Sequence, residues 1–199
     1  MSTSFSKLVV ASGNAGKLSE LEALLEPLGV AAVAQGTLGV PEADEPFTTF
    51  IENALAKARN AARHTGLPAL ADDSGLLAEA LGGAPGVHSA RFAGDPRSDE
   101  RNNRKLVDLL RTTTNRAAHY YCVIVVVRNA LDPQPLIAEG VWSGEVLLEP
   151  RGSGGFGYDP YFFVPSLGKT AAELPMEIKN RISHRGKALD CLIERLCAT

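Results

Sequence analysis

Early in the chain the hydrophobic period changes across a single turn, and that change dictates a strand running into a helix. Residues 7–12 (KLVVAS) are a short, Val-rich apolar run of the kind that forms a buried strand. The run breaks at Gly13-Asn14. From Lys17 onward, Leu18, Leu21, Leu24, Leu25 and Leu28 recur at helical spacing. Pro27 and Gly29 end that helix.

Further on, Thr49 and Glu52 have capping-box spacing, and a helix is predicted over 50–64 with Ile51, Leu55, Ala58 and Ala62 on one side and Asn53, Lys57 and Ala61 on another. A short apolar step, 68–71, leads into Asp72-Asp73-Ser74-Gly75, and 76–81 reads as a short helix before a glycine-rich loop at 82–86. Ser98 can cap a helix to about residue 111, with Leu106, Leu109 and Leu110 inward. Residues 119–128 (HYYCVIVVVR) carry the strongest strand signal in the chain. Two further strands, 136–142 and 145–148, read as joined tightly at Ser143-Gly144, and a glycine loop occupies 152–157. A last helix over 183–196 would bury Leu189, Leu192, Ile193 and Leu196. Alternating and hairpin orders are mixed, which argues an α/β or α+β domain with a mixed sheet.

The chain has 199 residues, a length expected for a single domain with at most a lobed outline. Its 45% hydrophobic and 22% charged content excludes an intrinsically disordered chain. A net charge of -3 supplies no basic excess to hold a nucleic acid duplex, so no stable nucleic acid binding is expected. The longest apolar run, 122–127, is far short of a membrane span. Three cysteines without CxxC or zinc spacing, and no visible signal peptide, point to a reducing, cytoplasmic compartment.

Five constellations can carry chemistry. Ser12-Gly13-Asn14-Ala15-Gly16-Lys17 places backbone N–H groups and a lysine at the positive end of a helix dipole, which suits a phosphate. The spacing is not Walker A, since Leu18 stands where Ser or Thr should ligate magnesium, and an ordinary strand-to-helix turn would look the same. Asp72 and Asp73 point opposite ways if extended, so one can face a site while its neighbour is held by backbone or a lysine; alternatively they cap a following helix. Glu42, Asp44 and Glu45 form an acidic segment that is either solvated or completes a magnesium site with Asp73. Residues 152–157 match GxGxxG literally, but Pro160 and the aromatic run 161–163 follow where a Rossmann helix should open. Phe156 can stack on a base or pack in a core. Lys179, Ser183, His184 and Arg185 make a donor cluster at the last helix, or a capping Ser beside solvated charges.

The stretches SGNAGKLSEL, TFIENALAKA, ALADDSGL, LGGAPGVHSARFAG, GSGGFGYDPYFFVP, KTAAELP and SHRGKAL, in this order over residues 8–189, resemble the inosine triphosphate pyrophosphatase (HAM1-like) family. The resemblance implies one domain over 1–199, an elongated two-lobed α/β fold with a central mixed sheet flanked by helices, a cleft between the lobes, and a homodimer. It implies cleavage of ITP, dITP and XTP between the α- and β-phosphates to monophosphate and pyrophosphate, with magnesium, keeping deaminated bases out of DNA and RNA. Carried onto this sequence, it puts Ser12, Gly13, Asn14, Ala15, Gly16 and Lys17 on the phosphates, with Lys57 adding charge. Asp73 then activates water or holds the metal, with Asp72 as its alternative or partner, and Ser74 touches substrate. Phe156, Gly157, Tyr158 and Asp159 hold base and sugar, and Lys179, His184 and Arg185 surround the base edge. The family often has Glu-Glu-Thr-Gly before TFxENA, whereas this chain reads Asp44-Glu45-Pro46-Phe47, which leaves open which of Asp44 and Glu45 ligates the metal alongside Asp73.

Overall fold

A computed structural model describes residues 5–13 and 15–197. Strand β1 (Lys7–Val10) leads into helix α1 (Ala15–Leu25), and Gly29, in the left-handed conformation, closes the 3-10 turn that follows. Next come β2 (Ala31–Ala34), α2 (Phe50–Thr65), β3 (Ala69–Ala78), α3 (Asp99–Leu110), β4 (Ala117–Val127) and β5 (Leu136–Val146). The chain ends with β6 (Phe162–Val164), β7 (Lys169–Thr170), α4 (Met176–Ile182) and α5 (His184–Cys197). One seven-stranded sheet has the order β2-β1-β3-β4-β5-β6-β7. β1 pairs in parallel with β2 and β3, whereas β5–β6 and β6–β7 are antiparallel. The fold is therefore α/β with a mixed sheet flanked by helices, as the alternation of periods predicts. No helix among the described residues is long and apolar enough to cross a membrane.

The chain divides into two compact units, the first made of residues 1–73, 122–140 and 188–199, the second of 74–121 and 141–187. The first has its own core, in which Leu8, Val10, Leu21, Leu25, Leu70, Ile124, Leu189, Leu192 and Leu196 are buried. The second packs Leu76, Leu106, Leu110, Tyr120, Trp142, Val146 and Phe162.

Several local expectations are corrected. Residues 76–81 do not form a helix: β3 continues through Asp72-Asp73-Ser74-Gly75 to Ala78, and only 79–81 make a 3-10 turn. The four turn-prone residues stay extended because β3 lies between β1 and β4 in the sheet, where pairing and burial override local propensity. The loop at 82–86 folds back on this strand, with Ala78 N–H donating to Ala84 O at 3.1 Å.

Residues 136–146 are likewise one strand, not two. Gly144 is present for close approach rather than for a turn. A Cβ there would strike Phe163 O and sit 2.7 Å from the Phe162 ring on β6. In α2 the inward face is Phe50, Asn53, Ala54, Ala58, Ala61 and Ala62, while Ile51 is exposed and Leu55 half-buried. Three alanines at 54, 58 and 61 seat the helix closely, and this register turns Asn53 inward. In α3 Leu109 is exposed, and Leu106, Val107 and Leu110 are buried with Asn102 and Asn103. In α5 Ile193 is only half-buried. Strands β2, β6 and β7 and helix α4 carry no clear periodic signal, being two to seven residues long.

Gly144→Ala should therefore destabilise the protein by about 1–3 kcal/mol through overpacking against β6. The midpoint of urea unfolding, compared at equal slope, measures this.

Candidate active site

Each unit carries a cluster of buried polar side chains. In the first unit, Thr49 caps α2, accepting from Glu52 N–H at 3.3 Å and donating to Glu52 Oε2 at 2.6 Å. The helix then presents Asn53 and Lys57 one turn apart on the same face. Lys57 Nζ lies 2.6 Å from Glu45 Oε1 and 3.8 Å from Asp73 Oδ1. Asn53 Nδ2 donates to Asp73 Oδ2 at 3.2 Å. Asp72 and Asp73 are only 1% and 7% exposed, so both carboxylates sit in the interior. Burial by itself would lower the Lys57 pKa. The negative charges of Asp73, Asp72 and Glu45 outweigh it and hold the ammonium above its ordinary range. Lys57 is thus a cation whose charged form is favoured by the carboxylates on either side of it.

The acidic segment divides under this geometry. Glu45 is drawn onto Lys57 and so toward Asp73, whereas Asp44 is exposed. Glu42 lies against the backbone of Gly13, where a Cβ would collide with its carboxylate. Ala11 N–H donates to Leu70 O at 2.8 Å, tying the start of the 12–17 turn to β3. Ser12 is half-buried, and α1 opens at Ala15, so the turn does lead into a helix N-terminus. Asn14 and the side chains of Ala15 and Lys17 lie outside the described residues.

Carboxylate oxygens with no sulfur or imidazole among them are a hard donor set, and Asp73 with Glu45 fits magnesium on that ground. Among the described residues no three His, Cys, Asp or Glu side chains gather as a preformed cage. Magnesium commonly takes one or two carboxylates and completes its shell with waters and substrate phosphates, so two carboxylates are a sufficient protein share.

In the second unit, Asp159 is the hub. It is buried, and its Oδ2 accepts from Lys179 Nζ at 2.7 Å and from Phe156 N–H at 2.9 Å. Tyr120 OH reaches Oδ1 at 3.4 Å. Gly155 has φ +72°, and a Cβ there would collide with the Asp159 carboxylate, so the loop needs glycine to close on it. Phe156 stays 43% exposed, with Lys179 Nζ 4.9 Å from its ring centroid. That excludes the core packing considered for Phe156 and leaves an apolar face on display. Gly157 is gripped by α3, its N–H donating to Asp99 Oδ2 at 2.8 Å and its C=O accepting from Asn103 Nδ2 at 2.9 Å. Tyr158 is buried, and its hydroxyl donates to Ser89 O at 2.7 Å. Burial pushes that phenol well above its ordinary pKa.

His184 and Arg185 are buried at the start of α5, not solvated. Arg185 Nη2 donates to Ser74 Oγ at 3.3 Å. The His184 ring stacks on Tyr120, centroids 4.6 Å apart and 9° from parallel. Gly186 lets α5 pack on α4, since a Cβ there would collide with Asn180 O. Tyr120 thus touches both the GYDP loop and the SHR start of α5. Sequence reasoning missed Asn53, Asp99, Asn103 and Tyr120. The available signals were polar residues recurring at helical spacing and a tyrosine inside the strongest strand.

The Ham1 family model matches residues 8–195. The dITP/XTP pyrophosphatase of Nitrosomonas europaea is 65% identical over 190 residues, covering 96% of this chain and 94% of that protein. Among solved structures, a HAM1 protein from Coxiella burnetii superposes with a TM-score of 0.92 at 49% identity, covering 97% of this chain and 99% of that one. The Staphylococcus aureus Ham1 protein gives a TM-score of 0.87 at 38% identity, covering 96% and 98%. With a family model spanning nearly its whole length and relatives this similar, the chain belongs to the Ham1 family.

Proposed function

We propose that this protein hydrolyses ITP, dITP and XTP to the monophosphate and pyrophosphate, removing deaminated purine nucleotides before polymerases use them. The observation that carries the reading is the Glu45–Lys57–Asp73 cluster, built on the buried Asp73 and found in a chain 65% identical to a dITP/XTP pyrophosphatase. Displacement at phosphorus makes little covalent demand on a protein and a large demand for positioning and charge.

Each residue then has a task. The turn at 12–17 offers backbone N–H groups and Lys17 to phosphate oxygens. Lys57, kept charged by its carboxylate neighbours, adds fixed positive charge. Asp73 orients the attacking water and accepts its proton, with Asp72 as the alternative base; one water is consumed and its oxygen ends on the monophosphate. Asp73 and Glu45, rather than the exposed Asp44, would hold magnesium, which when bound neutralises the phosphate oxygens. Phe156 offers its exposed face to the base, and Asp159 with Lys179 sets the angle of that loop. His184 and Arg185 offer N–H donors to the C6 carbonyl of hypoxanthine or xanthine. We further propose a single domain acting as a homodimer in the cytoplasm, in line with the family resemblance and with Cys122 and Cys191 standing outside any disulfide.

The test is pyrophosphate release from ITP, dITP, XTP, ATP and GTP with magnesium present and absent. Stoichiometric binding without turnover would make the chain a nucleotide sensor instead. Asp73→Asn is nearly isosteric and should abolish turnover while circular dichroism and melting stay close to wild type. Near-normal activity in the folded variant would move the role to Asp72.

Arg185→Ala and His184→Ala should erode the preference for ITP over ATP. Each removes a donor matched to a C6 carbonyl and relieves a donor left unpaired by adenine. A buried hydrogen bond lost this way is worth about 1–3 kcal/mol, so the ITP-to-ATP ratio of kcat/KM should fall by about one to two powers of ten. If both variants slow every substrate equally, base choice lies elsewhere.

A further inference from the structure

We infer that Asn53 is a positioning residue whose carboxamide ties Asp73 to the acidic loop, and so fixes where Glu45 and Lys57 stand relative to that carboxylate. The inference rests on the reading that Asp73 and Glu45 serve the reaction. Asn53 is 1% exposed. Its Nδ2 donates to Asp73 Oδ2 at 3.2 Å and to Phe47 O at 3.3 Å, and its Oδ1 accepts from Phe47 N–H at 3.1 Å. Both amide protons and the carbonyl are engaged.

The orientation of the amide is dictated by chemistry. Asp73 as a carboxylate only accepts, so the NH₂ end must face it, and the C=O end is left for the Phe47 N–H. No other side chain of this size offers two N–H donors and a carbonyl acceptor together. Asp at 53 would set two like charges against each other; Leu would leave the Phe47 N–H and C=O without these partners. The Phe47 side chain is itself exposed, so the described contacts hold the loop here through its backbone rather than by burying the ring. Two residues before Phe47, Glu45 sits on Lys57, and Lys57 is one helical turn from Asn53. One amide therefore sets a three-way geometry: β3 carboxylate, acidic loop and α2 lysine.

The experiment compares wild type with Asn53→Ala, Asn53→Asp and Asp73→Asn. It measures steady-state ITP hydrolysis together with amide hydrogen exchange of the peptide containing Phe47. In both Asn53 variants kcat should fall about 10- to 100-fold, the range expected when a reacting group is slightly misplaced, with KM for ITP changed by less than about threefold. Exchange at Phe47 should accelerate about tenfold or more in Asn53→Ala. In Asn53→Asp it should stay closer to wild type, because an aspartate still accepts from that N–H. If Asn53→Ala fails to fold by circular dichroism, the nearly isosteric Asn53→Asp carries the kinetic test alone. A folded Asn53 variant with kcat within about twofold of wild type, beside an inactive Asp73→Asn, overturns the positioning role and leaves the role of Asp73 standing. Loss of kcat with unchanged exchange at Phe47 in Asn53→Ala overturns the link to the loop. An active Asp73→Asn overturns the underlying reading instead.

Discussion

Two adjacent carboxylates are buried inside a ten-residue strand, and much of the first unit is arranged around them. Taking a carboxylate out of water is expensive unless charge and hydrogen bonds replace the lost hydration. Successive side chains of a strand point to opposite faces, so Asp72 and Asp73 cannot share one partner equally. On the Asp73 side, Lys57 supplies charge and Asn53 supplies a donor. Lys57 in turn is largely enclosed, and these carboxylates together with Glu45 hold its ammonium above the ordinary lysine range despite the desolvation. The lysine and the carboxylates are therefore mutually conditional. A cluster so held is preorganised, and on the proposed reading Lys57 and Asp73 need little reorganisation when a polyanion arrives.

The second unit solves a similar problem with the same pair of residue types. Asp159 is buried, Lys179 supplies its charge, and a backbone N–H supplies a donor. Here the carboxylate serves the shape of a loop. It pulls Phe156 N–H inward, and the phenylalanine ring remains exposed beside Lys179. Tyr120, buried and stacked on His184, extends the arrangement to the start of α5. Burial and the nearby Asp159 charge raise the Tyr120 pKa well above the ordinary phenol range, so this hydroxyl stays protonated and can only donate to a carboxylate.

The sequence was most informative where local and global signals agree. The opening strand–turn–helix, the Thr49 and Ser98 caps and the apolar core of β4 follow from periodicity and capping chemistry, and each is present. Errors arose where tertiary contact overrides local preference. Asp72-Asp73-Ser74-Gly75 and Ser143-Gly144 are turn-prone in isolation, yet both stretches lie within strands of the sheet. Gly144 lacks a side chain because Phe162 and Phe163, eighteen and nineteen positions on and without a periodic link to it, crowd the position. Spacing alone places Asn53 with Lys57 and Ala61 on a second side of α2, away from Ile51 and Leu55. Its inward turn is intelligible only once Asp73 is placed opposite it. The separation of Glu45 from Asp44 similarly depends on where Lys57 points, and no spacing in the segment encodes that.

On the proposed reading, base selectivity depends on rigidity more than on the number of contacts. Arg185 is 4% exposed, with Ser74 as one partner, and His184 is stacked against Tyr120. A flexible surface lysine could turn back to water when adenine presents an amino group instead of a carbonyl, and the mismatch would then cost little. A buried guanidinium or a stacked imidazole cannot do so, and its donor is left facing another donor. The cost of leaving a buried polar group unpaired exceeds the gain from pairing it, so discrimination comes chiefly from rejecting the wrong base. Packing that looks merely structural, such as Tyr120 on His184 or Gly186 against α4, then contributes to specificity on this reading, because it holds these groups in place and away from water.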